Sequence, residues 1–130
     1  MTDLQIVASN ELPLQDFTDE RIEARLFPVA KFCDAAMGIV RAGVAQRHHV
    51  HDRPDKGDEV IFVYGGRFRV RGDFPGSDRV FDVSTEGPVY ISVPAGMACS
   101  LENLGTEPVR FFSVFSPRFE PGEIRYVEAL

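Results

Sequence analysis

Three histidines stand within four positions of this chain, at His48, His49 and His51, and they are all the histidines that it has. On a β-strand successive side chains point to opposite faces, so His49 and His51 would leave from one face and His48 from the other. Glu59 comes eight residues after His51 and opens the apolar run VIFVY. Two imidazoles and a carboxylate on adjacent strands can bind a divalent metal ion and leave coordination positions open. The alternative is a surface turn with solvated histidines.

Arg47 is predicted to share the inward face with His49 and His51. A guanidinium there could bind a substrate carboxylate or phosphate through two parallel hydrogen bonds, which makes Arg47 a candidate catalytic residue. The alternative is an arginine that pairs with the acidic residues of the loop at 52–58. His48 is predicted to lie at the surface or to orient a metal-binding side chain from behind.

The composition indicates one soluble globular domain and disfavours two classes of partner. The chain has 130 residues, of which 44% are hydrophobic and 26% charged. A net charge of -6 argues against nucleic acid and anionic membranes, because both bind basic surfaces. No apolar stretch approaches the length that spans a bilayer. With two cysteines and no signal-peptide pattern, the sequence predicts a cytoplasmic protein with reduced thiols.

Runs of β-branched and aromatic residues alternate with turn residues, which indicates an all-β domain. The segment Glu59–Tyr64 is the strongest predicted strand, and Arg67–Arg71 alternates strictly between arginines and apolar residues. Gly65 and Gly66 between them predict a tight hairpin turn. About eight strands at hairpin spacing predict a sandwich or a closed barrel.

Two motifs contain most of the residues named so far. The first is Gly43, five residues, His49-x-His51, then Glu59, six residues and Gly66. The second is Gly87, then Pro94-x-Gly96, two residues, Cys99, three residues and Asn103. This pair resembles the two signature motifs of the cupin superfamily, small jelly-roll β-barrels that usually hold one metal ion. The resemblance covers about half of the chain.

The resemblance implies a site and also shows departures from the family pattern. His49, His51 and Glu59 match three of its metal ligands, but Cys99 stands where the family usually has a last histidine. Cys99 could be a thiolate ligand, a catalytic acid or base, or a buried thiol that only packs. The gap of seven residues between His51 and Glu59 is longer than usual, so that connection would bulge. Asn103 is expected to stabilise a turn.

The resemblance further implies one cupin domain over 1–130, with a jelly-roll core at 32–116. Residues 1–31 would form an N-terminal extension, and 117–130 a tail wrapped around the outside. Cupins commonly form homodimers, and the outward-facing Val60, Phe62 and Tyr64 would need cover from a second copy. The alternative is that the two terminal segments cover that face within one chain.

Three functions remain open at this stage. The first is an enzyme in which a zinc or iron ion polarises a small oxygenated carbonyl or carboxylate substrate while a nearby group moves a proton, as in cupin isomerases, lyases and cyclases. Nickel, copper and manganese are alternative ions. The second is a dioxygenase with non-haem iron, which a neighbouring thiolate disfavours because activated oxygen oxidises it. The third is a non-catalytic module that binds a sugar or another small molecule.

Overall fold

The computed structural model describes residues 4–28, 30, 32–53, 55, 57–73, 76–120 and 122–127. Within these ranges lie eleven β-strands, one short α-helix and a 3₁₀ turn at Ser9–Glu11. The first strands are β1 (Gln15–Phe17), β2 (Ile22–Leu26), β3 (Asp34–Val40), β4 (His49–His51), β5 (Glu59–Gly65), β6 (Arg67–Gly72) and β7 (Arg79–Asp82). After α1 (Val83–Glu86) come β8 (Val89–Val93), β9 (Cys99–Asn103), β10 (Val109–Phe115) and β11 (Ile124–Tyr126). No helix in this part of the chain is long and apolar enough to cross a membrane.

The strands form two antiparallel sheets, which confirms the predicted all-β fold. In the described residues the first sheet has the strand order β1-β2-β3-β10-β5-β8 and the second the order β11-β4-β9-β6-β7. Strands that are neighbours in sequence often lie in different sheets, as β4 and β5 do. This alternation between two facing sheets is the connectivity of a jelly roll.

The apolar core lies between the two sheets. Val40, Val63 and Val109 of the first sheet meet Phe68 and Leu101 of the second, and all five side chains are almost completely buried. Burying one such side chain contributes about 1.5–3 kcal/mol to the free energy of unfolding. All of these residues except Leu101 lie toward one end of their strands, so the core fills one end of the barrel and leaves room for a cavity at the other.

The predicted hairpin at Gly65 and Gly66 is wrong, because the two strands that it was expected to pair lie in different sheets. β5 pairs with β8 and β10, and β6 pairs with β7 and β9. Gly66 has a φ of 99°, and a Cβ there would lie 2.9 Å from the carbonyl oxygen of Pro108. Only glycine therefore fits at this connection between the two sheets. The predicted alternation of β6 is confirmed, since Phe68 and Val70 are its buried residues.

Both terminal segments contribute strands to the sheets. β2 pairs with β3 and so extends the first sheet from the N-terminal part of the chain. The tail was expected to wrap the outside, but β11 pairs with β4, with Ile124 opposite His51. The edge of β4 would otherwise present unpaired backbone groups, and a short antiparallel strand satisfies them. The tail therefore lies beside the histidines.

Asn103 has the structural role that was predicted for it. Its amide nitrogen donates to the carbonyl oxygens of Val40 at 2.9 Å and Glu107 at 2.8 Å, and its side-chain oxygen accepts from the Gly105 N–H at 2.8 Å. These bonds hold the turn that joins β9 to β10.

Candidate functional site

A cavity of about 210 Å³ lies at the end of the barrel opposite the core. His49, His51 and Glu59 all line it, so the structure brings together the three residues that the first motif predicts. Its other described lining residues are Phe17, Glu20, Ile22, Ala24, Leu26, Phe27, Asp34, Ala35, Ala36, Gln46, Phe111, Ser113, Phe115, Phe119 and Ile124. The wall is therefore mainly apolar, with most of its polar groups near the histidines.

His49 is held in one orientation by its backbone surroundings. The side chain is 7% exposed, and its Nδ1 lies 2.9 Å from the carbonyl oxygen of Arg47. A carbonyl only accepts, so the proton must be on Nδ1 and the lone pair of the neutral ring is on Nε2. His49 thus offers a nitrogen ligand at Nε2.

His51 lies between two carboxyl groups. Its Nδ1 is 2.5 Å from Oε2 of Glu123, and its Nε2 is 3.6 Å from Oε1 of Glu59. The Glu123 side chain is fully buried, and its other oxygen lies 3.3 Å from a guanidinium nitrogen of Arg53. A carboxylate that accepts from one histidine nitrogen fixes the ring and makes the opposite nitrogen a better metal ligand.

The three side chains suit a divalent ion in donor type, and one pair of them, His51 and Glu59, also suits it in spacing. Two ligands at about 2.1 Å from a tetrahedral ion are about 3.4 Å apart, close to the 3.6 Å between His51 Nε2 and Glu59 Oε1. The rings of His49 and His51 have centroids 5.4 Å apart. However, no group of three or more His, Cys, Asp or Glu side chains in the described ranges is close enough to hold a metal ion. Binding of one ion by all three residues would therefore require side-chain rotation.

Cys99 lies next to this site but packs against the core. It is directly opposite His49 on the neighbouring strand β9, and it contacts the apolar cluster between the sheets. It does not line the cavity in the described structure. Burial, followed by the negative charges of Glu59 and Asp73, raises the pKa of the Cys99 thiol to about 12. In the metal-free protein Cys99 is therefore a protonated thiol at neutral pH.

The other two residues singled out beside this pair, Arg47 and His48, are not among the described residues that line the cavity. The guanidinium carbon of Arg47 lies 3.7 Å from the centroid of the Tyr126 ring, and Arg47 does not line the described cavity. It precedes β4, so strand alternation does not determine its direction. His48 contacts Ser100 Oγ at 2.9 Å and Asp73 Oδ1 at 3.0 Å, on the other side of β4 from the cavity. His48 thus matches the prediction that it faces away from His49.

Three carboxyl groups of the site were not found by sequence reasoning. Glu123 reaches His51 from the tail, and Glu20 and Asp34 line the cavity from the N-terminal part of the chain. Burial raises the pKa of Glu20, whereas the nearby His49 and a hydrogen bond from Gln46 act in the opposite direction. No spacing or periodicity marks these three acids, because strand pairing over long sequence separations brings them to the site.

Comparison with known proteins shows the fold. Neither a protein-family model nor a curated protein matches this chain. Among solved structures, the polyketide cyclase RemF from Streptomyces resistomycificus has a TM-score of 0.77 at 15% identity, covering 98% of this chain and 88% of its own. KdgF from Halomonas sp. has a TM-score of 0.71 at 19% identity, covering 88% and 96%. An RmlC-like cupin from Shewanella frigidimarina has a TM-score of 0.69 at 16% identity, covering 88% and 92%. The two facing sheets and these neighbours together show that this protein has the fold of the cupin superfamily.

Proposed function

We propose that this protein is a small metal-dependent enzyme that acts on a small oxygenated metabolite, in a reaction of the isomerase, lyase or cyclase type. The observation that carries the proposal is that His49, His51 and Glu59 line one cavity. The acceptor bound to Nδ1 of each histidine puts the lone pair of the neutral ring on Nε2. A divalent ion, zinc or iron, would supply Lewis acidity that polarises a substrate carbonyl. The likeness to a protein whose name is polyketide cyclase agrees with chemistry of this kind.

The remaining steps belong to the chain's own side chains. The apolar wall excludes water, which strengthens electrostatic interactions inside the cavity. Glu20 lines the same cavity and interacts with His49, so its carboxyl group is placed to transfer a proton at the polar end. Gln46, which hydrogen-bonds Glu20 and accepts from the Leu101 N–H at 3.1 Å, keeps that carboxyl group in position.

The proposal is tested by metal content together with a proton-exchange assay. We expect elemental analysis of the purified protein to find about one equivalent of zinc or iron. In D₂O, the metal-loaded protein should exchange the protons next to the carbonyl of at least one member of a panel of small uncharged ketones, as followed by NMR. A protein that takes up neither zinc, nickel nor ferrous iron would refute the metal-dependent function. Iron with oxygen consumption would favour the dioxygenase instead.

Replacing Cys99 with alanine is expected to leave metal content unchanged. The thiol packs against the core and does not line the described cavity, so we propose that sulfur is not a ligand. Cobalt-substituted protein should accordingly lack the charge-transfer absorption of a thiolate ligand, in wild type and in Cys99→Ala alike. A sulfur-to-cobalt band in the wild type that disappears in Cys99→Ala would show that Cys99 is a metal ligand.

We also propose that the protein is a homodimer through the outer face of its first sheet. Phe62 and Tyr90 are directly opposite each other on β5 and β8 and are 41% and 63% exposed, and Phe112 flanks Phe62 on the other side. A contiguous apolar face of this kind is typical of a protein interface. The double variant Phe62→Glu/Tyr90→Glu should sediment as a monomer and wild type as a dimer. Leu14→Glu, an exposed apolar residue elsewhere, should remain dimeric.

A further inference from the structure

Asp34 carries a buried oxygen that lacks a partner. Its Oδ2 accepts the backbone N–H of Phe119 at 2.7 Å, but its Oδ1 is buried and makes no hydrogen bond to any described residue. Asp34 lines the cavity, so a rotation of its side chain would present Oδ1 to a ligand there. A buried acceptor without a partner is costly, and a donor supplied by a ligand would remove that cost.

Asp34 stands in line with the proposed metal ligands across the first sheet. Phe115 on β10 is directly opposite Asp34 on β3 and also directly opposite Glu59 on β5. Directly opposite residues share a face, so all three side chains point into the barrel, with Phe115 in the middle. Two strand spacings separate the backbones of Asp34 and Glu59 by roughly 10 Å.

The space between these two polar groups is bounded by aromatic rings. The Phe115 ring is 5.7 Å from the His51 ring and 6.1 Å from the Phe119 ring, measured between centroids. Rings at these separations offer flat faces and edges to another aromatic group. A ligand that reaches from Asp34 to His51 must therefore lie against Phe115.

The charge of the cavity disfavours anionic ligands. Glu20, Asp34 and Glu59 bring three carboxyl groups to its wall, and none of the described lining residues is a lysine or an arginine. An anion would also meet an apolar wall that cannot replace its hydration.

We propose that the cavity binds an uncharged, flat aromatic ligand of about two fused rings, with a hydroxyl group donating to Asp34 Oδ1 and a second oxygen at the His49, His51 and Glu59 end. This inference deepens the proposed function by giving the substrate class of the same site, and it rests on that function only for the role of the second oxygen. Asp34 is then the residue that selects hydroxylated ligands.

The test compares three probes that differ at one end of the same ring system. We expect 2,6-dihydroxynaphthalene to bind wild type roughly tenfold more tightly than 2-naphthol, since a hydrogen bond to a charged acceptor has about that effect. The anionic 6-hydroxy-2-naphthoate should bind at least about tenfold more weakly than the diol. Titration calorimetry is run on metal-free and zinc-loaded protein, and elemental analysis of the same samples tests metal binding separately.

Asp34→Asn places an amide donor where Oδ1 was, at nearly constant volume. The affinity for the diol should fall to that for 2-naphthol, while the affinity for 2-naphthol itself stays unchanged. Asp16→Asn, at an exposed position of β1, should behave as wild type. Ala36→Leu adds bulk to the cavity wall and should weaken binding of both probes, which locates them there. Thermal melting checks that each variant is folded.

The inference is overturned if folded wild type binds the diol no better than 2-naphthol, prefers the naphthoate, or keeps its preference for the diol in Asp34→Asn. The comparison of probes on wild type decides the matter even if a variant does not fold. Discrimination by Asp34 in a protein that takes up no metal would support this inference and refute the metal-dependent function. Metal uptake with proton exchange, but with equal affinity for the diol and 2-naphthol, would support the metal-dependent function and refute this inference.

Discussion

Replacing His49 with alanine is expected to reduce bound metal from about one equivalent to a trace and to abolish the proton exchange that depends on it. His49 presents Nε2 to the cavity because its Nδ1 donates to the Arg47 carbonyl, so its removal leaves His51 and Glu59 as the only proposed ligands. Removing a residue that hydrogen-bonds to a metal ligand already lowers metal affinity 10–100-fold. Removing the ligand itself should lower metal affinity by more than about 100-fold. Elemental analysis after dialysis against a weak chelator measures the effect.

His48→Ala is the matched control for this prediction. The two histidines are adjacent in sequence, but His48 faces Ser100 and Asp73 rather than the cavity. We expect His48→Ala to keep its metal and its proton exchange, with a loss of about 1 kcal/mol in the free energy of unfolding from the two broken hydrogen bonds. Equal metal content in His49→Ala and wild type, or loss of metal from His48→Ala alone, would contradict the assignment of the ligands.

The β-structure was predictable from the sequence, and the pairing of strands was less so. Alternation in Arg67–Arg71 correctly gave a strand with Phe68 and Val70 inward, because one buried face imposes a period of two on any strand. Gly65 and Gly66 correctly marked the end of one strand and the start of the next. A turn signal does not specify whether the chain returns within the same sheet or crosses to the other, and here it crosses.

The candidate site was predictable where its residues are close in sequence. Alternation was enough to place His49 and His51 on one face of β4, and the resemblance to the cupin motif added Glu59, which lines the same cavity from the other sheet. Asp34 and Glu123 were not found, because the first reaches the cavity through the pairing of β3 with β10 and the second through the pairing of β11 with β4. Such pairings join residues about 70 to 80 positions apart, and no local pattern encodes them. The carboxyl group that holds His51 and the one proposed to select the ligand are therefore visible only in the structure.

Replacing Glu123 with glutamine is expected to lower metal affinity 10–100-fold although Glu123 does not line the cavity. Its carboxyl group accepts from His51 Nδ1 at 2.5 Å and lies 3.3 Å from Arg53, entirely out of solvent. A glutamine keeps the size but turns one oxygen into a donor, which must then face either the His51 N–H or the Arg53 guanidinium. The proton of His51 is no longer fixed on Nδ1, and the free energy of unfolding should fall by about 2 kcal/mol.

Glu120→Gln separates this positioning role from a simple loss of charge near Arg53. Glu120 lies 3.7 Å from the same guanidinium, but its side chain is 67% exposed, so its removal should change stability by less than about 0.5 kcal/mol and leave metal affinity unchanged. The ¹⁵N chemical shifts of the His51 ring report which nitrogen carries the proton, and a loss of stability alone would not change them. Wild type and Glu120→Gln should both show the proton on Nδ1, whereas Glu123→Gln should show a mixture of tautomers. A variant of Glu123 that is destabilised but keeps the wild-type tautomer and metal affinity would mean that the carboxyl group only holds the tail in place.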